Sequence, residues 1–397
     1  MKNTPTIPRI TSIDAYRGFV MLLMMGEVLS FEKVSKALPE SRFWQFLTWH
    51  QSHVEWVGCS LHDLIQPSFS FLVGVALPYS IASRMAKGES KGKMYFHAIK
   101  RSLVLIFLGI FLRSMHAQQT YFTFEDTLTQ IGLGYFFLFL LGFSKSSKVP
   151  TISVAVILVG YFLAFAMYPI FKPNLLSDYD LIGVPYNWAH NLNGFAVHWN
   201  KNTNLAWAFD RWFLNLFPRE SPFLGNKGGY VTLSFIPTLG TMILGLIAGN
   251  ILKDSSLANE KIKRLLIIGV SLLLTGWLLD ALNICPNVKR IWTPTWTLFS
   301  GGWCFLFLTL FYWLIDVLKT KKWYFAFIVV GANSIAAYII AHTIDGFIGS
   351  SRSIHLGKQY AEVFGLAYAP LIRGLLVLFF EWLILFWMYR KRIFIKI

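Results

Sequence analysis

The residue types best suited to chemistry are concentrated in one run, Trp49-His50-Gln51-Ser52-His53-Val54-Glu55-Trp56-Val57-Gly58-Cys59-Ser60-Leu61-His62-Asp63-Leu64. Three of the chain's nine His lie there within 13 residues, beside Glu55 and Asp63. A His next to a carboxylate accepts protons near neutral pH, so His53 and Asp63 are candidate catalytic residues. His50, His53 and a carboxylate could instead hold zinc. Such ligands normally sit on one rigid helix, however, and HExxH spacing is missing, so no metal is expected. Asp63 also precedes an apolar run, where a carboxylate can cap the first orphan N–H groups of a helix.

Further polar residues fall inside apolar stretches, where an ionisable group is costly and so a functional candidate. Asp14 and Arg17 are spaced i, i+3, which suits an intrahelical pair; Arg17 could equally face a cavity and bind an anionic cofactor. Glu27, nearly three turns on, is expected to pair within a bundle. Gln130 sits in Asp126-Thr127-Leu128-Thr129-Gln130-Ile131-Gly132, and Trp292 and Thr293 in Lys289-Arg290-Ile291-Trp292-Thr293-Pro294-Thr295. Asn333 and Ser334 lie in Gly331-Ala332-Asn333-Ser334-Ile335, and Gly245 and Gly249 make a small-xxx-small packing face. Cys59 and Cys285 both fall in predicted outer segments and could pair.

These residues must be positioned by membrane helices. Of 397 residues, 55% are hydrophobic and only 14% charged, against about a quarter in soluble domains. Disorder is excluded by the apolar content, and a disulfide-stapled fold by three Cys. The net charge of +16 does not signal nucleic acid in a chain of mean hydropathy +0.51. Ten segments can be read as spans of roughly 20 apolar residues: about 13–31, 64–83, 102–114, 127–143, 150–169, 232–252, 265–284, 296–318, 323–348 and 367–389. The expected fold is an all-α polytopic membrane protein with about ten transmembrane helices, forming a single domain over 1–397. With the N-terminus inside, 21 of the 36 Lys and Arg fall in short inner segments, and 13 in much longer outer ones, which predicts an N-in, C-in topology. Two long outer segments, about 32–63 and 172–231, are expected to contribute to the site. The indoles of the second (Trp188, Trp199, Trp207, Trp212) suit either interfacial anchors or stacking platforms for sugar rings.

The ordered set of Ile13-Asp14-Ala15-Tyr16-Arg17-Gly18, His53 with Asp63-Leu64 ten residues later, Pro67-Ser68-Phe69-Ser70-Phe71, Lys100-Arg101, Gln130, Trp292-Thr293-Pro294 and Gly331-Ala332-Asn333-Ser334-Ile335 resembles the transmembrane acetyltransferases typified by heparan-α-glucosaminide N-acetyltransferase. The likeness is to bacterial-type relatives lacking the luminal domain, with Val28 where the family often carries Asn. It implies that acetyl-CoA, a co-substrate on the cytosolic side, donates acetyl to an amino sugar beyond the membrane. The family's active His falls on His53 and its neighbouring aspartate on Asp63. The donor site is then expected at Arg17, Arg101, Asp14, Gln130, Asn333 and Ser334, and the acceptor site at Glu27, Glu55, Trp292 and Thr293. A bacterial inner-membrane location and a homodimer are further expectations of the resemblance; a nucleic-acid partner is not. The rival readings are a sugar or lipid-linked saccharide transporter, weakened by the lack of a legible inverted repeat, and a polysaccharide O-acyltransferase of another membrane family.

Overall fold

The computed structural model describes residues 10–144, 146–171, 182–185, 187–320, 323–357 and 359–395. Part of the second long segment (172–181 and 186) lies outside them, as do eight of the basic residues used for orientation: Lys2, Arg9, Lys145, Lys172, Lys321, Lys322, Lys358 and Lys396. Among the described residues the chain is helical and forms no strand. Seven helices are long and apolar enough to cross a membrane, and an eighth if one sharply bent pair counts as a single span. The chain is therefore a polytopic helical membrane protein.

All ten predicted segments are helical, but they are not equivalent. The helices α1 (Thr11–Met25) and α6 (Thr127–Leu141) have only 15 residues each, about 22 Å at 1.5 Å per residue against a hydrocarbon core of about 30 Å. Beyond α1 the chain makes one tight turn, Gly26–Leu29, and reverses at Ser30 (φ 50°) into α2 (Phe31–Ala37) and α3 (Arg42–Gln51). Then come α4 (Ile65–Ala86) and α5 (Lys91–Ser114). The predicted short span 102–114 is thus the second half of a longer helix. Its polar first half is held by Ser90, whose hydroxyl accepts from the Lys93 N–H at 3.3 Å.

Next are α7 (Lys148–Met167), α8 (Leu205–Phe213), α9 (Phe235–Lys253), α10 (Ala258–Ala281) and α11 (Pro294–Phe311). The segment read as one span over 323–348 is broken. The helices α12 (Phe325–Gly331) and α13 (Ser334–Thr343) meet at 82°, and α14 (Asp345–Leu356) follows before α15 (Ala369–Arg390). At the break, Asn333 Nδ2 donates to the Ile393 carbonyl (2.6 Å), and its Oδ1 accepts from the Ile395 N–H (3.0 Å). Through these two bonds the break is tied to the segment that follows α15.

The bundle centres on α4 and α9, whose apolar windows are mostly buried, whereas α5, α7, α10 and α15 turn most of theirs outward. Close approach in the centre depends on glycine. A Cβ added at Gly245 or Gly249 would collide with the Phe71 or Val75 carbonyl of α4, and one at Gly74 with the Met242 carbonyl of α9. The predicted small-residue face is therefore a real packing face. Gly18 of α1 and Gly331 of α12 make a second such contact.

The described part of the second long segment folds over the end of the bundle where α1 finishes and α4 starts. Trp199 and Trp207 are buried there, and Trp56 Nε1 donates to the Trp199 carbonyl at 3.1 Å. These indoles form the core of a cap, so neither anchoring nor sugar stacking describes them. Trp212, in contrast, is exposed.

Candidate functional site

Two loops build the reactive corner, residues 52–61 before α4 and residues 282–293 before α11. They are tied together by the Gly58 N–H donating to the Asn287 carbonyl (3.0 Å), by a bridge between Val57 and Val288, and by Arg290 Nη2 donating to the Val54 carbonyl (3.1 Å). Thr293 caps α11: its hydroxyl accepts from the Trp296 and Val288 N–H groups (3.2 Å each) and donates to the Pro286 carbonyl (2.8 Å). Trp292, with φ 50° and buried, donates through Nε1 to Thr241 Oγ1 at 3.2 Å. The turn so fixed presents Lys289 to the His53 loop.

Asp63 is fully buried at the start of α4. Its Oδ2 accepts from the Ser60 N–H (3.0 Å) and the Val54 N–H (3.3 Å), so it organises its own loop rather than capping the helix. Its Oδ1 lies 2.8 Å from His53 Nδ1 and 3.2 Å from Lys289 Nζ, and Nζ is 3.1 Å from Nδ1. An ammonium can only donate and a carboxylate can only accept. The arrangement that satisfies all three groups has Nδ1–H and Lys289 both donating to Asp63. Nε2 then carries the lone pair, the form of a base or nucleophile. Burial lowers the His53 pKa below the usual imidazole range; the hydrogen bond to Asp63 opposes this and the Lys289 cation reinforces it.

His53 and Lys289 line a cavity of about 300 Å³ together with Glu27, His62, Tyr230 and Asp345. Glu27 Oε1 is 3.0 Å from His62 Nε2, and the rings of His53 and His62 have centroids 4.5 Å apart. A second cavity, about 430 Å³, is lined by Arg17, Arg84, Arg101 and Ser334 among others. The two cavities share Phe69, Thr127 and Tyr338 as wall. A third, about 360 Å³, adds His97 and Lys100 and shares Arg84, Arg101 and Tyr135 with the second. Along α4, Ile65 and Arg84 mark the two ends of this chain of cavities, 19 residues or about 28 Å apart.

Of the other expected site residues, Arg17 pairs with Asp14 at 3.3 Å on the wall of the second cavity. Arg101 donates to the Tyr135 hydroxyl at 3.2 Å and lies over its ring. Gln130 braces the bundle instead: its Nε2 donates to the Phe124 (2.6 Å) and Thr232 (3.1 Å) carbonyls. Trp292, Thr293 and Asn333 line none of the three cavities, and neither does exposed Glu55, whose charge is felt at Lys201. Cys59, Cys285 and Cys304 are free thiols. No group of three or more metal-ligating side chains is found among the described residues. Lys289 is the member of the site that motif reading missed. Its only signal was a Lys-Arg pair in a predicted outer loop directly before the Trp-Thr-Pro of α11.

Residues 9–188 match the family described as a domain of unknown function (DUF5009). The chain is similar to human heparan-alpha-glucosaminide N-acetyltransferase, at 30% identity over 105 residues covering 26% of this chain and 14% of that protein. It is similar to the mouse protein of the same name at 25% identity over 147 residues, covering 36% of this chain and 20% of that protein. The matches thus span a fifth or less of these curated relatives. They support a distant relationship to these proteins.

Proposed function

We propose that the chain is an acetyl-CoA-dependent membrane acyltransferase that moves acetyl to an amino sugar on the opposite side of the bilayer, with residues 1–397 acting as one domain. The observation that carries this reading is the His53–Asp63–Lys289 group, whose His53 and Lys289 line one cavity that adjoins a second, arginine-lined one. In this reading the Arg84 and Arg101 end faces the cytoplasm, consistent with an N-in, C-in topology, and the membrane is a bacterial inner membrane. The residues there fit a polyanionic donor: Arg17, Arg84, Lys100 and Arg101 supply cations for phosphates, and the N-terminus of α13 at Ser334 adds backbone donors.

The acyl arm of the donor runs between the helices toward the Phe69–Thr127–Tyr338 wall and presents its thioester to His53. In direct transfer, Nε2 takes a proton from the acceptor amine as its nitrogen attacks the thioester carbonyl. The C–S bond breaks, and the departing sulfur takes a proton back from the imidazolium. In the two-step form Nε2 attacks the thioester carbonyl and the C–S bond breaks to release the thiolate; the amine then attacks the acetyl-imidazolium, the C–Nε2 bond breaks, and the proton lost by the amine passes through Nε2 to the thiolate. In both, Asp63 holds the Nδ1–H and stabilises the imidazolium, while Lys289 balances the buried carboxylate.

The test uses purified, detergent-solubilised protein with labelled acetyl-CoA and glucosamine. Wild type is expected to form N-acetylglucosamine, and His53→Ala to lose at least a hundredfold in turnover with the fold retained, the scale of a lost general base. Turnover of His53→Ala above a tenth of wild type would overturn the assignment. A wild-type protein indifferent to acetyl-CoA would favour transport.

A further inference from the structure

A groove of about 770 Å³ lies between α14 and α15 and shares no lining residue with the three cavities above. Its α15 wall is Phe380, Leu383, Ile384 and Trp387, all exposed, on a helix long and apolar enough to cross a membrane. Because α15 turns most of its apolar window outward, this wall meets the bilayer. One buried charge faces the groove from α14. Arg352 lines it and is only 7% exposed. Its partners among the described residues are the Ile348 carbonyl (from Nε, 3.1 Å), the Arg373 carbonyl (from Nη1) and the ring of Tyr360. None of these is an anion, and Nη2 makes no hydrogen bond among the described residues. A guanidinium stays protonated, so a full positive charge stands beside hydrocarbon without a counter-ion.

We infer that the groove binds a membrane lipid with an anionic phosphate headgroup, the phosphate on Arg352 and an acyl chain laid along α15. The guanidinium fork matches phosphate oxygens, and an uncompensated cation at this depth is stabilised by an anion that the bilayer itself can supply. The hydrogen bond to the Arg373 carbonyl sets the level of the charge, and Trp387 lies 14 residues further along α15, about 21 Å. That exceeds the roughly 15 Å that one leaflet contributes to a hydrocarbon core of about 30 Å, so a headgroup and its chain fit together. A second copy of the chain fits less well. No Asp or Glu lines the groove, and in a two-fold interface Arg352 would face the same acid-free surface. The site does not depend on the transferase reading. It adjoins that chemistry only through α14, whose first residue, Asp345, lies on the wall of the His53 cavity.

The test titrates the full chain, purified in an uncharged detergent, with phosphatidylglycerol and with phosphatidylcholine of the same acyl chains, and reads bound lipid by native mass spectrometry. Glycerol phosphate serves as the headgroup without a chain. Wild type is expected to bind one phosphatidylglycerol at least tenfold more tightly than phosphatidylcholine, and glycerol phosphate at least a hundredfold more weakly than the lipid. Arg352→Gln should lose the preference between the two lipids. Ile384→Trp, which fills the groove from an exposed position, should lose both lipids with Arg352 in place, and it carries the test if Arg352→Gln does not fold. Equal binding of the two lipids by wild type, a preference that survives Arg352→Gln, or lipid held as well by Ile384→Trp would overturn the proposal. So would glycerol phosphate bound as tightly as the lipid, the mark of a free-anion site, or a dimer that Ile384→Trp dissociates, the mark of a subunit interface.

Discussion

At the residue scale, Lys289 makes the His53–Asp63 pair more than a hydrogen bond. A buried carboxylate left without its cation is strongly destabilising, by about 3–5 kcal/mol. Lys289→Met should therefore lower thermal stability as well as activity. It should also change the pH profile in a direction that follows from charge. His53 is held below the usual imidazole range by burial and by Lys289, so the acid limb of wild-type kcat/KM should lie below that range. Removing the cation favours the imidazolium, so the acid limb of Lys289→Met should move to higher pH. An unmoved limb with lower activity would mean that Lys289 acts through stability alone. Arg101→Ala should raise KM for acetyl-CoA roughly tenfold to a hundredfold, the loss of one charge-assisted contact, with little change in kcat.

At the scale of elements, the account depends on helices that approach closely around adjoining cavities. Gly74→Leu would drive a side chain into the backbone of α9, which has no flexible atom there to yield. Overpacking of this kind costs about 1–3 kcal/mol, and the expected outcome is a lower melting temperature in detergent. Thr127→Trp instead narrows the wall shared by the two cavities. It should cut acetyl transfer at least tenfold while acetyl-CoA still binds; full transfer would show that the reacting groups meet elsewhere. Much of this was legible in sequence, because a run of apolar residues announces a helix whatever it packs against. The small-residue face over Gly245 and Gly249 was readable for the same reason. The break at Ala332–Asn333 was not: neither residue stops a helix by itself, and the Asn333 side chain there bonds Ile393 and Ile395, 60 and 62 residues away. Lys289 was similarly hidden, since 236 residues separate it from His53.

At the scale of the whole molecule, charge and cavities run along the same axis. Arg17, Arg84 and Arg101 lie at one end of the chain of cavities, and His53, Glu27 and Asp345 at the other. Moving only an acetyl group between those ends avoids carrying phosphates through hydrocarbon, where each charge is expensive. The same surface charge that could suggest nucleic acid in a soluble chain is then a donor-facing and orienting feature. The central claim is transfer across the bilayer through His53. It is tested most directly in vesicles containing the purified protein, with labelled acetyl-CoA outside and glucosamine trapped inside. The account predicts labelled N-acetylglucosamine in the lumen with wild type and none with His53→Ala. Lumenal product that does not depend on His53, or wild-type product formed only when donor and acceptor share a side, would contradict it.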